Sequence, residues 1–152
     1  MKPHPKPPSG LFAGPRHLFP LRVYYEDTDL SGIVYHANYL KWFERARSDM
    51  LRLLGIDQRA AADGGEGFYA VADMSIRFAA PARLDDEILV ASHVTELGAA
   101  SVRLRQRALR GDVLLADAAV RVGFLAPNGR PRRQPAGWRS AFHSVLAAKD
   151  AA

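Results

Sequence analysis

Asp27, Asp29 and His36 fall within ten residues of one another in the run Val23–Arg47, VYYEDTDLSGIVYHANYLKWFERAR. Asp29 stands just ahead of a segment with helical spacing, and the first N–H groups of a helix are unpaired and carry partial positive charge. A carboxylate beside a water, with backbone N–H donors aimed at a carbonyl oxygen, is a minimal kit for hydrolysing an activated acyl group. Asp27 and Asp29 also suit a second role. With Ser31 and Gly32 they crowd turn formers together, because short polar side chains compete for backbone hydrogen bonds. Residue types alone leave both roles open.

Other chemistries are poorly served. Asp27-Thr28-Asp29-Leu30-Ser31-Gly32 mimics the start of an EF-hand loop. Its twelfth position is Asn38, however, where a bidentate Glu is needed, and the segment before it has strand character. The five histidines show no ligand spacing, and a chain without cysteine has no Cys nucleophile, thiolate zinc site or disulfide framework. No metal site is therefore expected. Neither a Gly-x-Ser-x-Gly elbow nor a P-loop occurs, and Gly64–Gly67 is too loose for a dinucleotide fingerprint.

The elements that must position the acids follow from periodicity. Val23, Tyr24 and Tyr25 suit an extended backbone, which predicts a first strand over about Leu21–Asp27. The spacing predicts a helix from about Ala37 to Leu54, ended by Gly55. Tyr39, Trp42, Phe43, Ala46, Met50, Leu53 and Leu54 share its apolar face, opposite Lys41, Arg45, Ser48 and Arg52. Arg47 falls inside the apolar sector, and an unpartnered buried arginine is costly, so a contact with Glu44 or another acid is expected. A short helical tail follows over Ile56–Asp63. Four strands come next, over about Tyr69–Phe78, Ile88–Leu97, Ser101–Leu109 and Val113–Leu125. The first of these places Ala70, Ala72, Met74, Ile76 and Phe78 on one face. A C-terminal helix is expected over about Pro135–Ala148. Short turns between strands argue for an antiparallel meander covered by the long helix, an α+β domain of roughly five strands.

A chain of 152 residues with 48% hydrophobic content suffices for one domain with a sizeable core. Residues 1–19 carry five prolines and little periodicity, which reads as a flexible or loosely docked basic extension ahead of a domain over 20–152, with Leu11, Phe12, Leu18 and Phe19 as anchors if it docks as an arm. The N-terminus lacks the apolar stretch of a signal peptide and no apolar run is long enough to span a membrane, so a cytoplasmic location is the expectation. Net charge is +5, with arginines gathered at 103–110 and 130–133. Such a balance suits an anionic partner, but without aromatic interleaving in the Arg103–Arg107 segment nucleic acid is not expected.

The run YYEDTDLSGIVYHANYLKWFERAR resembles the hot-dog-fold acyl-CoA thioesterases of the 4-hydroxybenzoyl-CoA type, and within them the Tol–Pal-associated, YbgC-like branch. The resemblance implies an antiparallel sheet wrapped around one long helix, in dimers often paired again into tetramers. It implies that Asp29 activates water or attacks the thioester carbonyl itself, and that the His36 N–H donates to the oxyanion. The His36 side chain then serves as a proton carrier or merely packs beside Tyr35. Tyr39 lines the acyl pocket or belongs to the core. Asp27, Glu44 and Arg47 are supporting residues, the first in the turn and the other two as an ion pair. Coenzyme A, which is part of the substrate rather than a separate cofactor, needs basic groups for its phosphates. Ser101, Arg130, Arg132 and Arg133 occupy matching positions, either as that site or as a solvated basic loop. The benzoyl-CoA branch has two arginines where Ala99 and Ala100 stand here.

Two functions are thus in view: an acyl-CoA thioester hydrolase, and a non-hydrolytic adaptor that binds acyl thioesters or an acyl carrier protein at the inner membrane face.

Overall fold

The computed structural model describes residues 1–147. Six strands form one antiparallel sheet: β1 Leu11–Ala13, β2 Arg16–Arg22, β3 Phe68–Phe78, β4 Glu87–Leu97, β5 Ser101–Arg110 and β6 Val113–Leu125, in the order β1-β2-β4-β5-β6-β3. Helix α1, Asn38–Leu53, packs against one face, with α2 at Gln58–Asp63 and α3 at Ala136–Ser144. Ala148, expected as the end of the last helix, lies outside the described residues. No described helix is long and apolar enough to cross a membrane.

The apolar stripe of α1 divides the core into two halves. Tyr39, Trp42, Phe43 and Ala46 pack with Ile88, Val90, Ala116, Ala118 and Val120. Met50 and Leu51 pack with Val94, Val102, Leu104 and, from α3, Phe142. Leu53, expected inside, is exposed, whereas Leu51 and Asp49 are buried. The reason is what covers each side: Ile56 and Phe142 close over Leu51, and the N-terminal segment closes over Asp49. There the Asp49 carboxylate accepts hydrogen bonds from the Ser9 hydroxyl (2.7 Å) and the Gly10 N–H (2.9 Å), and its Oδ2 pairs with His17 Nε2 (2.7 Å).

The first strand is therefore not at Leu21–Asp27, and residues 11–19 are not a loose extension. His17–Arg22 pair with Ser92–Glu87 in register, and Leu11–Ala13 fold back on Arg16–Leu18. Pro20, which has no N–H to give, sits where β2 has no neighbour on its other side, the place a strand tolerates proline. Tyr25–Asp27 form one turn of 3₁₀ helix instead of a strand, because the Asp27 carboxylate accepts the Tyr24 N–H at 2.8 Å.

The β3 alternation is also corrected. A bulge between Val71 and Asp73 switches the parity of the strand. Tyr69 and Val71 face α1 before it, Met74 and Ile76 after it, and Ala72 is absorbed in the irregularity. β3 is an edge strand, eleven residues long, with Phe68, Val71 and Phe78 exposed.

Candidate active site

Asp29 is held by backbone geometry. Thr28 and Val34 form an antiparallel bridge, the Asp29 N–H donates to Ile33 O, and Gly32 N–H returns to Asp29 O. Gly32 closes this turn at φ +80°, a left-handed conformation that favours glycine. The turn is tied to the helix by Asp27, whose carbonyl accepts the Tyr35 N–H (2.9 Å) and the Asn38 amide (2.7 Å). Asn38, nearly buried at the first position of α1, is a fastener that sequence reading passed over; a short polar residue beside a turn at a helix start was the available signal.

The Asp29 carboxylate is exposed and accepts both the Ser31 hydroxyl and the Ser31 N–H. The hydroxyl bond first, then the N–H and the nearby His36, hold its pKa below the ordinary aspartate value, against a small opposing effect of desolvation. The carboxylate is therefore ionised at neutral pH.

Helix α1 begins without a side-chain cap. Ala37 is the capping residue and contributes no side-chain bond. Neither the His36 nor the Ala37 N–H finds an acceptor among the described residues, so the positive end of the helix stays open towards the Asp29 turn. The His36 imidazole is exposed, 4.6 Å between centroids from Tyr35 and 5.9 Å from Phe78. Tyr39 is buried against Trp42 and Phe78 in edge-on contacts, and burial pushes its phenol pKa up.

Between the middle of α1 and the β3 edge runs a groove, deepening into a cavity of about 150 Å³ walled by Met50, Leu51, Val71, Val102, Leu104, Phe142 and others. Leu40, Glu44, Arg47 and Met74 line its shallower stretch. Glu44 and Arg47 share this wall, yet they form no ion pair within 4 Å among the described residues. Glu44 accepts the Ser48 hydroxyl (2.6 Å) and Arg47 donates to Gln106 Oε1 (2.9 Å). Gln106, fully buried on β5, also donates to Phe43 O and the Ser92 hydroxyl. The expected Glu44–Arg47 contact is thus not a direct ion pair: the arginine gives one N–H to a neutral amide, and Glu44 acts on its charge only from beyond 4 Å.

Ser101 and the basic loop meet at the other end of the sheet. Gln134, buried and unnoticed in the sequence, joins them: its amide donates to Gly98 O and Ser101 O, and its Oε1 accepts the Tyr69 hydroxyl. Arg130 and Arg133 are exposed. Arg132 is engaged, donating to Gly65 O and Glu66 O. Ser101 pairs with Gly123, whereas Phe78, beside His36, pairs with Ala116. The acidic turn and the basic loop therefore sit at opposite ends of strands roughly 30 Å long.

The thioesterase superfamily model matches residues 31–116, more than half of the chain. The acyl-CoA thioesterase YbgC of Haemophilus influenzae is 38% identical over 128 residues, spanning 84% of this chain and 94% of that protein. The acyl-CoA thioester hydrolase YbgC of Escherichia coli O6:H1 is 40% identical over 119 residues, 77% of this chain and 88% of that one. Among solved structures, a probable thioesterase from Bartonella henselae superposes with a TM-score of 0.76 at 39% identity, covering 79% of this chain and 99% of that chain. A 1,4-dihydroxy-2-naphthoyl-CoA thioesterase from Synechocystis shares the fold, with a TM-score of 0.78 at 24% identity over 84% of this chain and 96% of that one. With its antiparallel sheet wrapped about α1, its acidic turn at the open end of that helix and these relatives, the chain belongs to the thioesterase superfamily and, within it, to the family of the YbgC acyl-CoA thioesterases.

Proposed function

We propose that this protein hydrolyses acyl-CoA thioesters to a free acid and CoA at the Asp29 turn. The observation that carries the reading is an ionised carboxylate beside an uncapped helix start whose His36 N–H has no acceptor among the described residues. In this mechanism the thioester oxygen accepts the His36 N–H, which stabilises the charge that develops as the carbonyl carbon becomes tetrahedral. Asp29 either takes a proton from the attacking water or adds to the carbon itself, giving a mixed anhydride that water then opens. The C–S bond breaks, and the thiolate leaves and is protonated, with the His36 imidazole as the nearby proton carrier. Both routes consume one water.

Arg130, Arg133 and Ser101 are assigned to the CoA phosphates, and Tyr39 to the wall behind the acyl group. Arg132 is removed from that set in this reading, since loop carbonyls already hold it. One chain keeps the two halves of the site apart. Antiparallel pairing of β3 with β3 of a second copy brings the acidic turn of one protomer to the basic loop of the other. It also covers an exposed apolar edge, which a long unpaired strand otherwise leaves open to non-specific pairing. Acyl carrier protein presents the same thioester on the same kind of arm and is the alternative donor.

The test is thiol release from short, long and aromatic acyl-CoAs and from an acylated carrier protein. The protein has no thiol of its own to confuse the count. Asp29→Asn is expected to lower kcat by about 10²–10⁴ with its fold intact. Wild-type turnover by this variant would remove Asp29 from the mechanism.

A further inference from the structure

The groove beside α1 holds a cation, Arg47, that makes no direct ion pair among the described residues, although Glu44 lines the same groove. Arg47 lines both its shallow and its deep stretch, in a wall otherwise made largely of Met50, Leu51, Val71, Val102 and Leu104. Of the five N–H groups of the guanidinium, one finds an acceptor among the described residues, the neutral Oε1 of Gln106. Gln106 is locked by its bonds to Phe43 O and Ser92, so it fixes the arginine in place. No described carboxylate lies within ion-pair distance of Arg47. Glu44 is close enough to favour the charged guanidinium, but it is exposed at the rim and water screens it. Arg47 is half-buried, and that desolvation lowers its pKa from the ordinary arginine value.

Resting on the hydrolase reading, we propose that Arg47 selects acyl groups whose far end carries a carboxylate, so that half-thioesters of dicarboxylic acids are preferred substrates. The carboxylate pairs with the free guanidinium N–H groups, bidentate where the chain length allows, while its methylene chain lies along the apolar wall. A methyl-terminated chain of equal length leaves the arginine desolvated and unpaired, and that difference is the source of selectivity.

The experiment compares adipyl- and suberyl-CoA with hexanoyl- and octanoyl-CoA in wild type, Arg47→Met and Arg47→Lys. The expected kcat/KM preference for the carboxylated series in wild type is about tenfold or more. Arg47→Met is expected to reverse it and Arg47→Lys to keep part of it. Equal kcat/KM for the two series in wild type, or a preference that survives in folded Arg47→Met, overturns the proposal while leaving the hydrolase reading intact. Calorimetric binding of carboxyalkyl- and alkyl-CoA thioethers to wild type reads the same selectivity without turnover. Failure to hydrolyse any thioester, with the carboxylated thioether still bound more tightly, sinks the hydrolase reading and supports the Arg47 assignment. Equal thioether affinities overturn the assignment even if Arg47→Met does not fold.

Discussion

Ser31 is the main reason the Asp29 carboxyl titrates below the ordinary aspartate range, and that makes a pH experiment decisive. The proposed mechanism needs the carboxylate, and the two bonds from Ser31 hold its pKa low, so activity should persist into acid. Removing the hydroxyl in Ser31→Ala lets the pKa rise, and the acid limb of the kcat/KM profile should move to higher pH. A limb that stays in place identifies some other group as the one titrating. At this scale the sequence showed candidates more readily than partners. Asp27, Asp29 and His36 were visible as neighbours, and Arg47 was visible as a misfit on its helix. The group that answers Arg47 was not, because Gln106 lies 59 residues away and looks like one polar residue on an alternating strand. Gln134 was hidden for the same reason, being 65 residues from Tyr69.

At the level of elements, the long helix and strands β3–β6 were legible from period alone, and their ends fall within a residue or so of expectation. The N-terminal hairpin was not. Its prolines mimic a linker, and only pairing with β4 shows that Pro20 faces an open edge. The β3 bulge was equally invisible, since an inserted residue changes parity without changing composition. Asp49 ties the hairpin to α1. Burial by itself would push that carboxyl up, but Ser9, His17 and the Gly10 N–H outweigh it and hold it below the ordinary value. Its stabilisation is therefore present above the unfolded pKa and is lost as pH falls through the depressed folded one. Asp49→Ala strips three donors of their acceptor and should cost about 3–5 kcal/mol, by analogy with breaking a buried pair. Thermal melts across acid pH should show wild type losing stability where the variant, already destabilised, changes less. An unchanged melting temperature at neutral pH would mean the hairpin is held by its strand pairing alone.

For the whole molecule, the separation of the acidic turn from the basic loop carries the main expectation. If the working site combines opposite ends of two protomers, two disabled chains should repair one another. Mixed dimers of Asp29→Asn with an Arg130→Glu, Arg133→Glu chain should recover about a quarter of wild-type activity, the share expected when half the dimers each hold one good site. Activity that never exceeds the average of the two separate variants would place the whole site within one chain. Nothing in the residue pattern announced this division, because distance between ends is a property of the assembled sheet. Leu30 opens one more route. It projects wholly into solvent at the tip of the turn that carries Asp29, in a chain without cysteine. A single Leu30→Cys substitution would thus place the molecule's only thiol next to Asp29. Its alkylation rate, followed on dilution, becomes a clock for how long that turn stays uncovered.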